Sequence, residues 1–194
     1  MSILALTSDT LIGTPATGNI EYNGQFFGTD SNASRAQLQR LVLSTAVAST
    51  SGTSIDFTGI PAWAEKITVM FQGVSTNSTA LWLLQLGTSS GVTTSGYLGQ
   101  AFNAAGSVAS AFSAGFTLIT DSANGNIYHG LVQVITLGSN NFAMSGNLAR
   151  SDAFNAYQSA GSIALGGVLD RVRITTVGGT NTFDAGTINI LVEG

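Results

Sequence analysis

The chain has 194 residues, enough for one domain with a sizeable core, and its lack of cysteine excludes disulfide bonds and thiol chemistry. Charged residues make up only 8%, against about 25% in an ordinary soluble domain. The net charge of -4 and the scattered arginines provide no clustered basic patch of the kind that nucleic-acid binding requires.

The amino-terminal sequence MSILALTSDTLIG lacks the basic region of a secretory signal, and no apolar run approaches the ~20 residues of a membrane helix. We therefore expect a chain that is made in the cytoplasm of its host cell, is not secreted through a signal peptide and does not insert into a membrane.

The scarcity of charge predicts contact with other protein. Interface cores are depleted in charged residues, and Ser, Thr and Asn lose less side-chain entropy in a contact than Lys or Glu. Exposed strand edges are normally guarded by lysine or proline, but this chain has only Lys66, Pro15 and Pro61. We expect neighbouring subunits to cover its edges, which predicts a homo-oligomer.

Residues 1–40 form a predicted leading segment before the main domain at 41–194. The stretch GNIEYNGQFFGTDSNASR, residues 18–35, carries Ile20, Tyr22, Phe26 and Phe27, too many apolar side chains for a disordered leader. Burying one such side chain stabilises by roughly 1.5 to 3 kcal/mol. We interpret the segment as an oligomerisation and mounting segment, in which these four side chains form a subunit interface. Its glycines, at positions 18, 24 and 28, permit the bends.

The next stretch, NASRAQLQRLVL from Asn32, fits either a short helix or a strand. Beyond it the apolar residues alternate with a period of two, as in half-buried strands. About eight to ten strands are predicted, separated by turn sequences such as GSNN and GGTNT. The clearest strand sequences are SIDFTGI, KITVMFQGV, ALWLLQLG, NIYHGLVQVITL, RVRITTV and GTINILVEG. The pattern predicts an all-β sandwich or barrel.

No residues form a recognisable catalytic, cofactor or metal motif. His129 is the only histidine, G-x-S-x-G does not occur, and a structural role for His129 is favoured. The acidic residues come singly, so a glycosidase pair would have to be assembled in space. One histidine without cysteine excludes the common zinc sites, while a calcium site built from one Asp and backbone carbonyls would leave no motif.

Trp63, after Pro61 in GIPAWAEK, is a candidate for stacking on a sugar, with core packing as the equal alternative. Trp82 lies in the most apolar strand, which favours the core. Arg171 and Arg173 in DRVR either meet an acidic ligand or pair with acids on a neighbouring strand, and the second reading is preferred.

Several stretches resemble a bacteriophage fibre and virion structural protein family. They are GNIEYNGQFFGTDSNASR, GTSIDFTGIPAWAEKITVMFQGVSTNST, SGYLG and LDRVRITTVGGTNTFDAGTINILVEG. The closing TNTFDAGTINILVEG is the most specific part, and residues 99–165 match less clearly. The resemblance implies an antiparallel, jelly-roll-like β-sandwich, assembled as a homotrimer on the virion and preceded by a short extended amino-terminal segment.

The resemblance brings no catalytic residues, so a non-enzymatic structural role without cofactors is expected. One reading is a surface-exposed fibre or adhesin domain that binds a host surface glycan or protein. The alternative is a capsid decoration or head-fibre protein held by other virion proteins, and residues 1–17 are few for the shaft and docking domain of a tail fibre. A polysaccharide depolymerase is the least supported reading, since no acid pair is visible.

Overall fold

The computed structural model describes residues 17–22, 26–30, 32, 34–107 and 113–194. The chain divides into two compact units, Met1–Arg40 and Leu41–Gly194. The predicted bend at Gly24 lies outside the described residues. Within the described part of the chain, no helix is long and apolar enough to cross a membrane.

The described residues form strands and connecting turns, without a helix. The strands are β1 (Ile20–Tyr22), β2 (Phe26–Thr29), β3 (Arg35–Gln37), β4 (Leu41–Leu43), β5 (Val47–Ala48), β6 (Ser54–Thr58), β7 (Lys66–Thr76), β8 (Trp82–Thr88), β9 (Gly91–Val92), β10 (Leu98–Asn103), β11 (Phe116–Thr117), β12 (Tyr128–Gly138), β13 (Asn141–Arg150), β14 (Ala156–Ala164), β15 (Arg171–Thr176) and β16 (Phe183–Glu193). The strand alternative at Asn32 is therefore the correct one, since β3 and β4 occupy that stretch.

The first unit contains a three-stranded sheet of order β1-β2-β3. In the second unit, a large sheet has the order β10-β14-β13-β12-β7-β16-β4, with β5 also paired to β16. A small sheet has the order β11-β8-β15-β6, with β9 paired to β8. Each of the strand pairings among the described residues is antiparallel.

The large and small sheets pack face to face over one core. Trp82 of the small sheet is fully buried, and its ring lies 4.6 Å from that of Tyr128 and 6.0 Å from that of Phe183, both in the large sheet. Its indole N–H donates to Thr76 Oγ1 at 3.3 Å. This bond satisfies the indole nitrogen, the one polar atom of the side chain, which would otherwise be buried without a partner. The prediction of an all-β antiparallel sandwich is confirmed, and so is the core position of Trp82.

The chain crosses between the two sheets several times. From β5 to β11 it alternates between the large and small sheets, except that the consecutive strands β8 and β9 both lie in the small sheet, and it alternates again from β14 to β16. A meander of β12, β13 and β14 interrupts the alternation. Its first turn has two residues, Ser139 and Asn140, with φ of 51° and 59°, as a type I′ hairpin requires. The turn predicted from GSNN is thus confirmed.

A bulge in β7 fixes how the centre of the large sheet bends. Tyr128 pairs with Val74 but Gly130 pairs with Phe71, so that Gln72 and Gly73 together face His129. Gly73 and, across the ladder in β16, Gly186 have φ of +65° and +92°. A Cβ on Gly186 would overlap the Gly73 carbonyl and lie 2.6 Å from Val74 Cα, so only glycine fits there.

Gly186→Ala is therefore expected to lower the free energy of unfolding by about 3 kcal/mol, the sum of a left-handed backbone and an overpacked site. Gly178→Ala is the matched control, because Gly178 has a φ of +85° but no atom near its added Cβ, and it is expected to cost about 1 kcal/mol. Urea denaturation measures both. Equal losses in the two variants would contradict the close approach of β7 and β16.

Candidate functional site

His129 supports the bulge and is oriented as a structural residue. Its Nδ1 accepts the Gly73 backbone N–H at 3.2 Å, and its Nε2 lies 3.2 Å from Ser151 Oγ. Because Nδ1 is an acceptor in the neutral ring, the proton belongs on Nε2, which donates to the serine. A general base needs the opposite tautomer, with Nε2 free to accept the serine proton. This geometry fits the structural role favoured from the sequence.

The carboxylates are distributed over ion pairs and hydrogen bonds along the strands. Asp56 accepts Arg173 Nε at 2.6 Å and Nη2 at 3.2 Å, and Glu193 lies 2.8 Å from Lys66 Nζ. Asp184 accepts a hydrogen bond from Ser75 Oγ. Among the described residues no three His, Cys, Asp or Glu side chains come together as a possible metal site.

The predicted interface residues of the first unit lie in the β1–β2 hairpin. Tyr22 pairs with Phe26 across the ladder, and their ring centroids are 4.9 Å apart. Ile20 is 71% exposed and Phe26 is 45% exposed, so this unit leaves a large part of both side chains uncovered.

Strand register separates the four predicted residues into two sets. Ile20, Tyr22 and Phe26 share one face of the three-stranded sheet, because Tyr22 pairs with Phe26 and Ile20 with Gly28. Phe27 pairs with Glu21 and lies on the opposite face. On that face Glu21 is buried and accepts Arg35 Nε at 2.6 Å. The apolar face and the ion-paired face of this hairpin are therefore distinct surfaces.

Trp63 is half-buried and packs against the core of the sandwich. The chain terminus covers one side of it, since a Cβ on Gly194 would come 2.7 Å from Trp63 Cε3. Trp63 remains a candidate for stacking on a sugar, but its contacts with the core and with Gly194 reduce the surface that it can offer.

Arg171 and Arg173 pair with acids, as preferred from the sequence. Arg173 meets Asp56, which faces it across the ladder between β15 and β6. Arg171 binds the preceding Asp170 at 3.0 Å and the Ser89 carbonyl at 3.2 Å. Both arginines project from the outer face of the small sheet.

A polar hollow of about 320 Å³ lies on this outer face. Hydroxyl, amide and guanidinium groups line it, a mixture that suits the hydroxyl groups of a saccharide. The lining residues whose side chains offer polar groups to it are Thr53, Ser54, Gln85, Thr94, Arg173 and Thr175, and Leu83 and Ala114 add apolar wall. Sequence reasoning missed this site because its walls come from segments as far apart as residues 53 and 179.

Hydrogen bonds that are buried or partly buried hold the walls of the hollow in place. Gln85 Nε2 donates to the Ala114 carbonyl at 2.7 Å, and Thr175 Oγ1 donates to the Thr53 carbonyl at 2.8 Å. The Tyr97 hydroxyl donates to the Thr93 carbonyl at 3.1 Å and accepts the Leu86 N–H at 2.6 Å. Burial raises the pKa of Tyr97 to about 12, so the hydroxyl stays a donor at physiological pH.

Neither the protein-family models nor the curated proteins nor the solved structures include a match to this chain.

The turn after β13 generates a pH dependence of stability. Arg150 donates two hydrogen bonds to Asp152, at 2.5 and 3.1 Å, and the Ile127 N–H donates a third at 3.2 Å. The Arg150 bond is the main cause that lowers the pKa of Asp152 from 3.8 to about 2. A lowered carboxyl pKa stabilises the fold above pH 4, and that contribution is lost as the pH falls toward 2.

Asp152→Asn is accordingly expected to be less stable than the parent at pH 7, by about 1 kcal/mol at most because the pair is partly solvated. The difference should shrink as the pH falls from 4 to 2. Thermal melts from pH 2 to 7 measure it, with the exposed Glu65 changed to Gln as control. A difference that stays constant across this range would contradict the role of the carboxylate.

Proposed function

We propose that the chain is a non-enzymatic structural protein of a bacteriophage virion, a homotrimeric fibre or adhesin-type domain that binds the host surface. The observation that carries the proposal is a surface with few charges and several exposed apolar side chains. Such a composition suits a protein that is held against other protein. The sequence resemblance to phage fibre and virion proteins supplies the biological setting.

The face of Ile20, Tyr22 and Phe26 is the proposed contact between copies in the first unit. Aromatic residues are enriched in such contacts, and the two rings already pack against each other at a tilt of 42° within the hairpin. Three copies meeting at this face would bury Ile20 and Phe26, which are 71% and 45% exposed in one copy.

The polar hollow on the small sheet is the proposed host-binding site, and a surface saccharide is its ligand class. Its hydroxyl and amide groups would pair with sugar hydroxyls, and Arg173 would accommodate an acidic sugar if it exchanged part of its contact with Asp56. Trp63 is a second, smaller candidate surface.

A pair of single substitutions tests the assembly contact. Phe26→Ser removes an exposed aromatic ring from the proposed interface and is expected to raise the dissociation constant of the trimer at least about tenfold. Phe27→Ser is the control on the opposite face, and the double variant is expected to be monomeric or insoluble. Light scattering over a dilution series measures the mass, and a normal trimer from the double variant would contradict the proposal.

A second pair tests host binding. Thr94 is exposed on the rim of the hollow, so Thr94→Trp fills the hollow without disturbing the core. Ser95→Trp adds the same indole outside the lining residues. The parent chain and Ser95→Trp are expected to compete with phage particles for host cells, whereas Thr94→Trp should compete at least about tenfold less well. A glycan array identifies the sugar.

If the parent chain neither competes for host cells nor binds a glycan, the host-binding role is wrong. If Thr94→Trp competes as well as the parent, the binding site lies elsewhere on the domain.

The exposed apolar faces also favour a second function, that of a capsid decoration or head-fibre protein seated on other virion proteins. Antibody labelling of intact particles separates the two. Label on the capsid alone supports decoration, and label on the tail alone excludes it.

A further inference from the structure

The outer face of the large sheet is built from three rows of side chains that run across its strands. The ladders place one residue from each of the seven strands in the second and third rows, and one from each strand except β4 in the first. The first row is Phe102, Gln158, Asn147, Leu131, Met70 and Asn189. The second is Gln100, Ala160, Ser145, Gln133, Thr68, Leu191 and Leu43. The third is Leu98, Ser162, Ala143, Ile135, Lys66, Glu193 and Leu41. We call these three rows the outer face.

The outer face combines exposed apolar side chains with short polar ones. Leu131 is 50% exposed near its centre, and Leu98 and Leu41 are 69% and 61% exposed at its two margins. The apolar residues are spread over the whole width of the face. The exposed apolar side chains are therefore distributed across the outer face and are not confined to one small patch.

The only charged side chains in the three rows are Lys66 and Glu193, and they neutralise each other at 2.8 Å. By contrast, the outward residues of the small sheet include three charged ones, Asp56, Arg171 and Arg173. Charge depletion is the compositional mark of an interface core. It singles out the outer face as the part of the sandwich suited to lie against protein.

The outer face is large enough for a stable contact. Seven strands about 4.8 Å apart give a width of roughly 34 Å, and three rows about 7 Å apart give a length of roughly 20 Å. The flat area is therefore about 700 Å², and the protruding side chains add to it. A standard interface needs about 800 Å² from each partner. The face thus comes close to that requirement without any other part of the molecule.

We propose that the outer face of the large sheet is buried against a second copy of this chain. A neutral face lies against the neighbouring copy in the trimer without like-charge repulsion, whereas a strongly charged partner would find no complementary charges on it. The strands at its two margins, β10 and β4, are edge strands with exposed leucines and no lysine or proline to guard them. The proposal rests on the proposed self-assembly but assigns it a surface distinct from the Ile20 and Phe26 face.

Thiol protection tests this directly, because the chain contains no cysteine and any introduced thiol is unique. Ser145 is exposed in the middle row, and Thr58 is exposed on the outer side of the small sheet. In the full chain, Ser145→Cys is expected to react with a thiol reagent at least about tenfold more slowly than Thr58→Cys. The two rates should become equal in denaturant.

A charge at the same position gives an independent readout. Ser145→Lys is expected to raise the dissociation constant of the oligomer at least about tenfold, and Thr58→Lys to leave it unchanged. Near-UV circular dichroism checks that each variant keeps the fold of the parent.

Two results overturn the inference, and they are distinguishable. If the parent sediments as an oligomer while Ser145→Cys reacts as fast as Thr58→Cys, the outer face is free and the copies meet elsewhere. If the parent sediments at 19.8 kDa at all concentrations, both this inference and the proposed homotrimer fall. Host binding is then judged by its own competition assay.

Discussion

The structure depends on the alternation of side chains along the long ladder between β7 and β16. The same register that turns Val69 and Ile190 into the core turns Met70 and Asn189 to the outer surface. Every other strand of the large sheet is aligned to this ladder directly or through β12. Core packing and surface composition are therefore coupled, since a one-residue slip would exchange the two faces along the strand. The glycine pair at positions 73 and 186 holds the bent end of the ladder in that register.

The sandwich was predictable because its long strands carry their own signal. Ile67, Val69 and Phe71 alternate as a half-buried strand must, and the structure buries all three. The short strands were not predictable from the sequence. A strand of two residues, such as Val47 and Ala48, is too short to show an alternating apolar pattern, and its position depends on its pairing with β16. For the same reason, the sequence from Asn32 onward did not distinguish a short helix from a strand. In that stretch composition favours a helix locally, while the pairing of β3 with β2 decides for a strand.

The candidate surfaces were predictable only in part. Ile20, Tyr22, Phe26 and Phe27 are neighbours in sequence, but the face that each one occupies depends on hairpin register, which the sequence of this stretch does not specify. The polar hollow is assembled from distant segments, and no local pattern predicts it. The outer face of the large sheet did leave a sequence signal: in β12, Leu131 and Ile135 are apolar out of phase with the core residues Val132 and Val134. An outward apolar series in a nearly uncharged chain indicates a covered sheet.

We propose a domain whose uncharged surfaces are covered by further copies of itself. Sedimentation equilibrium of the full chain at low salt and in 1 M salt tests this claim most directly. Contacts between uncharged faces are not screened, so the account predicts a mass of about three times 19.8 kDa in both buffers. A mass of 19.8 kDa throughout, or an oligomer that dissociates in high salt, would contradict it.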